Sequence, residues 1–202
     1  MNKLLMSLLL LAASGPLRAD LVHKYTNPLD VKIADPSILE TREGQFRYYL
    51  SGTTLARYGS NDLVNWRRLP DWTSLEDTWA QPVPWASEAL EYRGKFYYHF
   101  TAPGRTSGGK RRICIAVADS PDATFEPLAY PLFENEFAWI DSHIFVDADG
   151  TPYLFVTNDS KEAFGGEARI CVAELEPDLS ALAGPLQPIL QPSQPWEHAW
   201  QE

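Results

Sequence analysis

One unit recurs three times along this chain, and an internal repeat narrows the possible folds more than any other feature. Ala34-Asp35-Pro36-Ser37-Ile38 runs through Arg42-Glu43-Gly44 into Tyr48-Tyr49-Leu50. Trp85-Ala86-Ser87-Glu88-Ala89 runs through Arg93-Gly94-Lys95 into Tyr97-Tyr98-His99-Phe100. Ile140-Asp141-Ser142-His143 runs through Asp149-Gly150-Thr151 into Tyr153-Leu154-Phe155. Nine positions before the three glycines stand Asp35, Trp85 and Asp141. The glycines are 50 residues apart (44 to 94) and then 56 (94 to 150). Such spacing is a mark of β-propeller blades, units that bury their faces only by stacking on neighbours. Two acids at one repeat position imply inner strands that converge on a carboxylate-lined pocket.

The rest of each repeat reads as strand. Phe46 to Ser51, Phe96 to Ala102 and Pro152 to Thr157 are rich in aromatic and β-branched residues. Asp149-Gly150 is a hairpin signal, since glycine accepts positive φ. Outer strands are expected at Ala56 to Gly59, Ile113 to Ala118 and Ile170 to Leu175. No long segment keeps a 3.6-residue period, which excludes a helical fold. The Tyr pair falls one residue later after Gly44 than after Gly94, as a one-residue bulge in the first repeat would produce.

Residues 1–19 have the form of an export signal. Lys3 precedes a largely apolar run from Leu4 to Ala13, and Leu17-Arg18-Ala19 ends on a small residue suited to cleavage. The run is shorter than the roughly 20 residues a membrane span needs. The expectation is a secreted or periplasmic protein with no membrane contact once the signal is cleaved. Residues 20–202 then form a partial propeller, blades 1–3 and the start of a fourth. Loss of Lys3 and Arg18 takes the formal charge from -10 to -12. An acidic surface repels phosphate backbones and argues against nucleic acid, but suits a neutral sugar. Cys114 and Cys171 occupy matching repeat strands and are read as two separate buried thiols rather than a disulfide.

Hydrolysis of a glycosidic bond needs two carboxyl groups flanking it, and a third carboxylate can raise the acid's pKa by repulsion. Asp35 and Asp141 have the placement for such work; the bland reading of a lone Asp is a turn cap. Pro36 is expected to hold Asp35 extended. Trp85 is read either as a stacking face for a sugar or as packing between blades. Glu88 is read either as a hydroxyl ligand or as a strand tie. His143 follows Asp141 by two and shares its face if the strand is regular; it is read either as a pocket-lining, substrate-binding residue or as a satisfied structural histidine. Asp147-Ala148-Asp149-Gly150 lacks the remaining ligands of a calcium loop and is read as a turn. No cofactor or metal is expected, and no phosphate-cradling or nucleophile-elbow motif is present.

These residues together resemble glycoside hydrolase family 43, and the likeness covers essentially the whole chain after the signal. Asn27-Pro28 with Ala34-Asp35-Pro36-Ser37-Ile38 resembles the first-blade motif that carries the general base. Ser60-Asn61-Asp62-Leu63-Val64-Asn65-Trp66 resembles the segment closing that blade. Trp85-Ala86-Ser87-Glu88 is similar to the family's Trp-Ala-Pro-Glu, with Ser87 in place of proline. Ile140 to Asp147 resembles the motif carrying the pKa-modulating Asp. The resemblance implies a five-bladed propeller, inverting hydrolysis of arabinofuranosyl or xylosyl linkages in plant-type saccharides, Asp35 as base and Asp141 as modulator. The family's acid is a Glu in a Glu-Gly-Pro motif further on. The chain continues 61 residues past Asp141, to Glu202. Glu202 is that acid, or Pro195-Trp196-Glu197-His198 opens a connector that leads to it; with a blade or more missing, this chain alone is expected to be inactive. A non-catalytic carbohydrate-binding propeller is the alternative reading.

Overall fold

The computed structural model describes residues 29–159 and 168–197. Twelve strands form three four-stranded antiparallel meanders. The first contains β1 (Ser37–Glu40), β2 (Tyr48–Gly52), β3 (Thr54–Ser60) and β4 (Arg67–Leu69). The second contains β5 (Trp85–Tyr92), β6 (Lys95–Pro103), β7 (Arg111–Ala118) and β8 (Glu126–Ala129). The third contains β9 (Trp139–Val146), β10 (Pro152–Asn158), β11 (Arg169–Glu174) and β12 (Gln187–Leu190). Helix among the described residues is limited to a 3₁₀ turn at 195–197. The first strand of each sheet packs on its counterpart, β1 on β5 and β5 on β9. This is the radial arrangement of propeller blades, and the expected all-β propeller with about three blades is met.

Aromatic residues from facing sheets fill the spaces between blades. Between blades 1 and 2, Trp72 is fully buried. It stacks on Tyr98 at 5.2 Å and 11°, and meets Phe125 edge-on at 5.2 Å. Arg57 lies over the same indole, and its guanidinium donates to four backbone carbonyls: Pro70, Pro121, Asp122 and Ala123. One buried cation thereby ties the middle of β3 to the turn after β7. Between blades 2 and 3 the core is aliphatic and aromatic, with Ile113, Ile115, Trp139, Ile144, Leu154, Val156 and Leu175. Successive side chains of a strand point to opposite faces. β6 therefore feeds both cores, Tyr98 and Phe100 to one and Tyr97 to the other. Cys114 and Cys171 sit on β7 and β11, buried and free, as expected.

The hairpins account for the repeat offset. Seven residues join Glu40 to Tyr48, two join Tyr92 to Lys95 and five join Val146 to Pro152. Arg93 and Gly94 both have positive φ (51° and 73°), the conformation a two-residue hairpin favours. Gly150 (φ 87°) closes the third turn. The later Tyr pair of blade 1 thus reflects a longer turn, not a bulge in the first strand, because β1 pairs with β2 without a break. Of the three first-to-second strand pairings, the other two do break, in β5 and β9, beside Ala86 and Asp141.

Candidate active site

Three non-glycine residues at matching blade positions adopt the left-handed conformation: Asp35 (φ 50°), Ala86 (φ 39°) and Asp141 (φ 55°). This corrects two expectations. The blade-2 counterpart of the aspartates is Ala86, not Trp85, because the shorter turn shifts the count from the glycine by one. Asp35 is not extended, even though Pro36 follows it. Aspartate tolerates left-handed φ better than most residues, and a tertiary contact holds it there. The Thr53 hydroxyl donates to the Asp35 carboxylate and accepts the N–H of Ala86 at 3.2 Å. Blades 2 and 3 repeat part of this latch, as the Thr101 hydroxyl accepts the N–H of Asp141 at 3.1 Å. Backbone strain of this kind costs on the order of 1–3 kcal/mol per residue and clusters where function needs it.

The bend turns the inner-strand side chains toward one pocket of about 260 Å³. Its lining includes Asp35, Ser37, Glu88, Asp141 and His143. Ser37, Glu88 and His143 each follow a bent residue by two. His143 Nδ1 is 2.8 Å from Glu88 Oε2. The next layer is enclosed. Ser142 Oγ meets Nδ1 of fully buried His99 at 2.8 Å. Ser87 Oγ donates to the Gly52 carbonyl at 2.6 Å and accepts the Gly52 N–H at 3.2 Å. A serine at 87, where the resembling motif has proline, thus gains a bond between blades.

Charge in the pocket is perturbed. The Asp141 side chain still meets solvent through the open mouth, yet its pKa is raised, first by partial burial, then by the carboxylates of Asp35 and Asp159. Arg111 opposes them. Burial holds His99 down to about 3, and the nearby His143 adds to this. Glu88 lies 3.8 Å from His99 Nε2 and favours the charged ring. It is engaged more closely by His143, however, and desolvation of a fully buried imidazole is the larger effect.

Asp35, Glu88, Asp141 and His143 are therefore brought together. Trp85 stands at the start of β5, 41% exposed, with the Arg111 guanidinium 3.1 Å from its ring centroid. Its indole is neither packed away between blades nor fully bare. Glu202 lies outside the described residues, as do Asn27 and Pro28. Among the described residues no cluster of His, Cys, Asp and Glu has the geometry to hold a metal ion. Sequence reasoning missed Thr53, Thr101, His99, Ser142 and Arg111. Only the repeat alignment marks any of them, since Ser142 follows the bent Asp141 as Ser87 follows Ala86.

The family model described as glycosyl hydrolases family 43 matches residues 25–202. The chain belongs to glycosyl hydrolase family 43. Solved structures agree. A thermostable family-43 glycoside hydrolase superposes with TM-score 0.75 and 31% identity, over 87% of this chain and 59% of that one. An endo-arabinase from Bacteroides thetaiotaomicron gives TM-score 0.71 and 28% identity, over 83% of this chain and 60% of that one. The family-43 chain is 36% identical over 77 residues to a xylosidase/arabinosidase 43A of Humicola insolens (38% of this chain, 22% of that protein). It is 30% identical over 141 residues to an extracellular endo-α-(1→5)-L-arabinanase 2 of Bacillus subtilis (61% and 28%). This family-43 chain thus spans about a quarter of these curated relatives and about three-fifths of the two solved structures.

Proposed function

We propose that this chain carries the base side of an inverting glycosidase site for arabinofuranosyl or xylosyl linkages in plant-type saccharides. The observation that carries the reading is the convergence of Asp35 and Asp141, from equivalent bends in two blades, on one small pocket. Asp35 is the base. With Thr53 donating to it, its carboxylate is oriented to take a proton from water poised on the sugar. Asp141 modulates. Its negative charge raises the pKa of a nearby carboxylic acid and keeps that group protonated for the leaving oxygen. Glu88 and His143 form a hydrogen-bonding wall for sugar hydroxyls, and Trp85 offers a face for stacking. The acid is the remaining part, with Glu202 its candidate in this sequence. If Glu202 does not serve, turnover by residues 20–202 alone is expected to be negligible. Secretion, through the signal at residues 1–19, is consistent with a polymeric plant substrate.

The test compares the natural protein that contains this chain with Asp35→Asn and Asp141→Asn, on aryl arabinofuranoside and aryl xyloside. Asp35→Asn is expected to lower kcat by roughly 10²–10⁴. Wild type that binds arabino- or xylo-oligosaccharides without cleaving them points instead to a carbohydrate-binding propeller. Wild type that neither binds nor cleaves them removes the sugar reading.

A further inference from the structure

Arg111 opens β7, the third strand of blade 2, yet acts at the inner edge of the sheet. Its guanidinium carbon sits 3.1 Å from the centroid of the Trp85 ring, on the first strand of the same blade. Its Nη1 donates to the Val83 carbonyl at 3.2 Å, just before that strand. These two contacts fix the plane of the guanidinium against one face of the indole. The same cation is also an electrostatic neighbour of two acids from blade 3, Asp141 in β9 and Asp159 just after β10.

We propose that Arg111 is a positioning residue of the pocket, clamping one face of Trp85 so that the other serves as a sugar platform, while presenting its charge to Asp141 across the blade boundary. The role in sugar binding rests on the proposed carbohydrate function; the clamp and the electrostatic influence on Asp141 do not. A guanidinium stacks on an aromatic face and stays charged even when partly desolvated, which an ammonium does less well. Lysine at 111 therefore keeps the charge but not the flat clamp.

The charge relation has a definite sign. Asp141 is raised by burial, Asp35 and Asp159, and lowered by Arg111. Glu88 and His143 line the same pocket, and His99 stands behind it against Ser142. None of these but Arg111 is a fixed cation. Removing it leaves the like-charge repulsion unopposed, and Asp141 moves further up.

The experiment uses the 202-residue chain, as wild type, Arg111→Gln and Arg111→Lys, labelled with ¹³C at aspartate carboxyls. Asp141 is assigned by its loss in Asp141→Asn. In Arg111→Gln the Asp141 midpoint is expected to rise by roughly half a unit, the low side of charge-pair effects for a site open to water. Arg111→Lys is expected to hold the midpoint near wild type. Both variants are expected to shift the Trp85 indole resonance and make it more accessible to a neutral quencher. An Asp141 midpoint equal in wild type and Arg111→Gln, or a Trp85 indole unchanged in both variants, overturns the proposal. Xylotriose and arabinotriose titrations form a separate arm. Weaker binding in Arg111→Gln supports the platform role, and equal binding overturns it. If neither sugar binds wild type while the midpoint and the indole still move, the carbohydrate reading fails and the clamp stands.

Discussion

His99 makes acid lability a direct test of the enclosed layer behind the pocket. The ring is fully buried, bonded to Ser142, and held down to about 3 by burial. An unfolded histidine titrates near 6.5. Between those values the unfolded chain binds a proton that the folded chain refuses. The stabilisation is therefore complete above about pH 6.5 and is lost as pH falls toward about 3. Each pH unit in that window is worth about 1.4 kcal/mol, so the ceiling is on the order of 5 kcal/mol, and about 3 kcal/mol is lost by pH 4. Domain stabilities run at roughly 5–15 kcal/mol, so this one side chain accounts for a sizeable share of the stability lost in mild acid. Urea unfolding followed by tryptophan fluorescence, stepped between about pH 7 and pH 4, gives the slope. His99→Gln keeps a partner for Ser142 and does not titrate. The difference between the two proteins cancels the carboxylates of Asp62, Asp149 and Asp178, whose pKa values are lowered mainly by backbone hydrogen bonds from Asn65 and Thr151 and by the Ser180 hydroxyl, respectively. The expected result is a difference that changes by about 1 kcal/mol or more per pH unit between pH 6 and pH 4. A difference that stays flat, or a His99 resonance titrating near 6, refutes the argument.

Ser142→Ala strips His99 of its buried partner and is expected to cost about 1–3 kcal/mol in urea unfolding at neutral pH. Arg57→Leu leaves four carbonyls without their donor and is expected to cost roughly 3–5 kcal/mol by the same assay. Asp141→Asn removes a carboxylate whose folded pKa is raised. The folded wild type loses stability as pH rises through the ordinary and then the raised value, so the variant is expected to melt higher at neutral pH, with the advantage gone in acid. In a turnover assay the same substitution is expected to move the alkaline limb of kcat/KM to lower pH, because the acid loses a repelling neighbour. Cys114 and Cys171 are expected to leave Tm unchanged by reductant and to react with a thiol reagent only on unfolding, since burial raises both thiols.

Much of this was legible because propeller blades repeat. Turn glycines, tyrosine-rich strands and the two aspartates lie at nearly constant spacing, and that spacing carries the blade count and the pocket. The alignment slipped where turn length differs: seven, two and five residues move the count from the glycine, which put Trp85 where Ala86 belongs. Asp35 defied its proline because Thr53, distant in the pattern rather than the chain, holds the bent form. Arg111 left no trace, for a reason of geometry. It reaches the site by stretching over β6 from the third strand, and no local pattern records how far a long side chain travels. His99 and Phe155 hold the same repeat position, and nothing in either segment tells that one is sealed and the other half open.

That last contrast bears on whether blades are interchangeable parts. β6 is buried on both faces from Phe96 to Pro103, whereas β10 alternates between buried and half-exposed residues. A polar side chain in β6 must be given a partner by another blade, as His99 is by Ser142. The same side chain in β10 can borrow one from water. Transplanting a strand between blades therefore carries the right shape into the wrong surroundings: Tyr153-Leu154-Phe155 set in place of Tyr97-Tyr98-His99 would strand the Ser142 hydroxyl and crowd a space sized for imidazole. The repeat is a repeat of backbone, and each copy has been individually fitted to its neighbours.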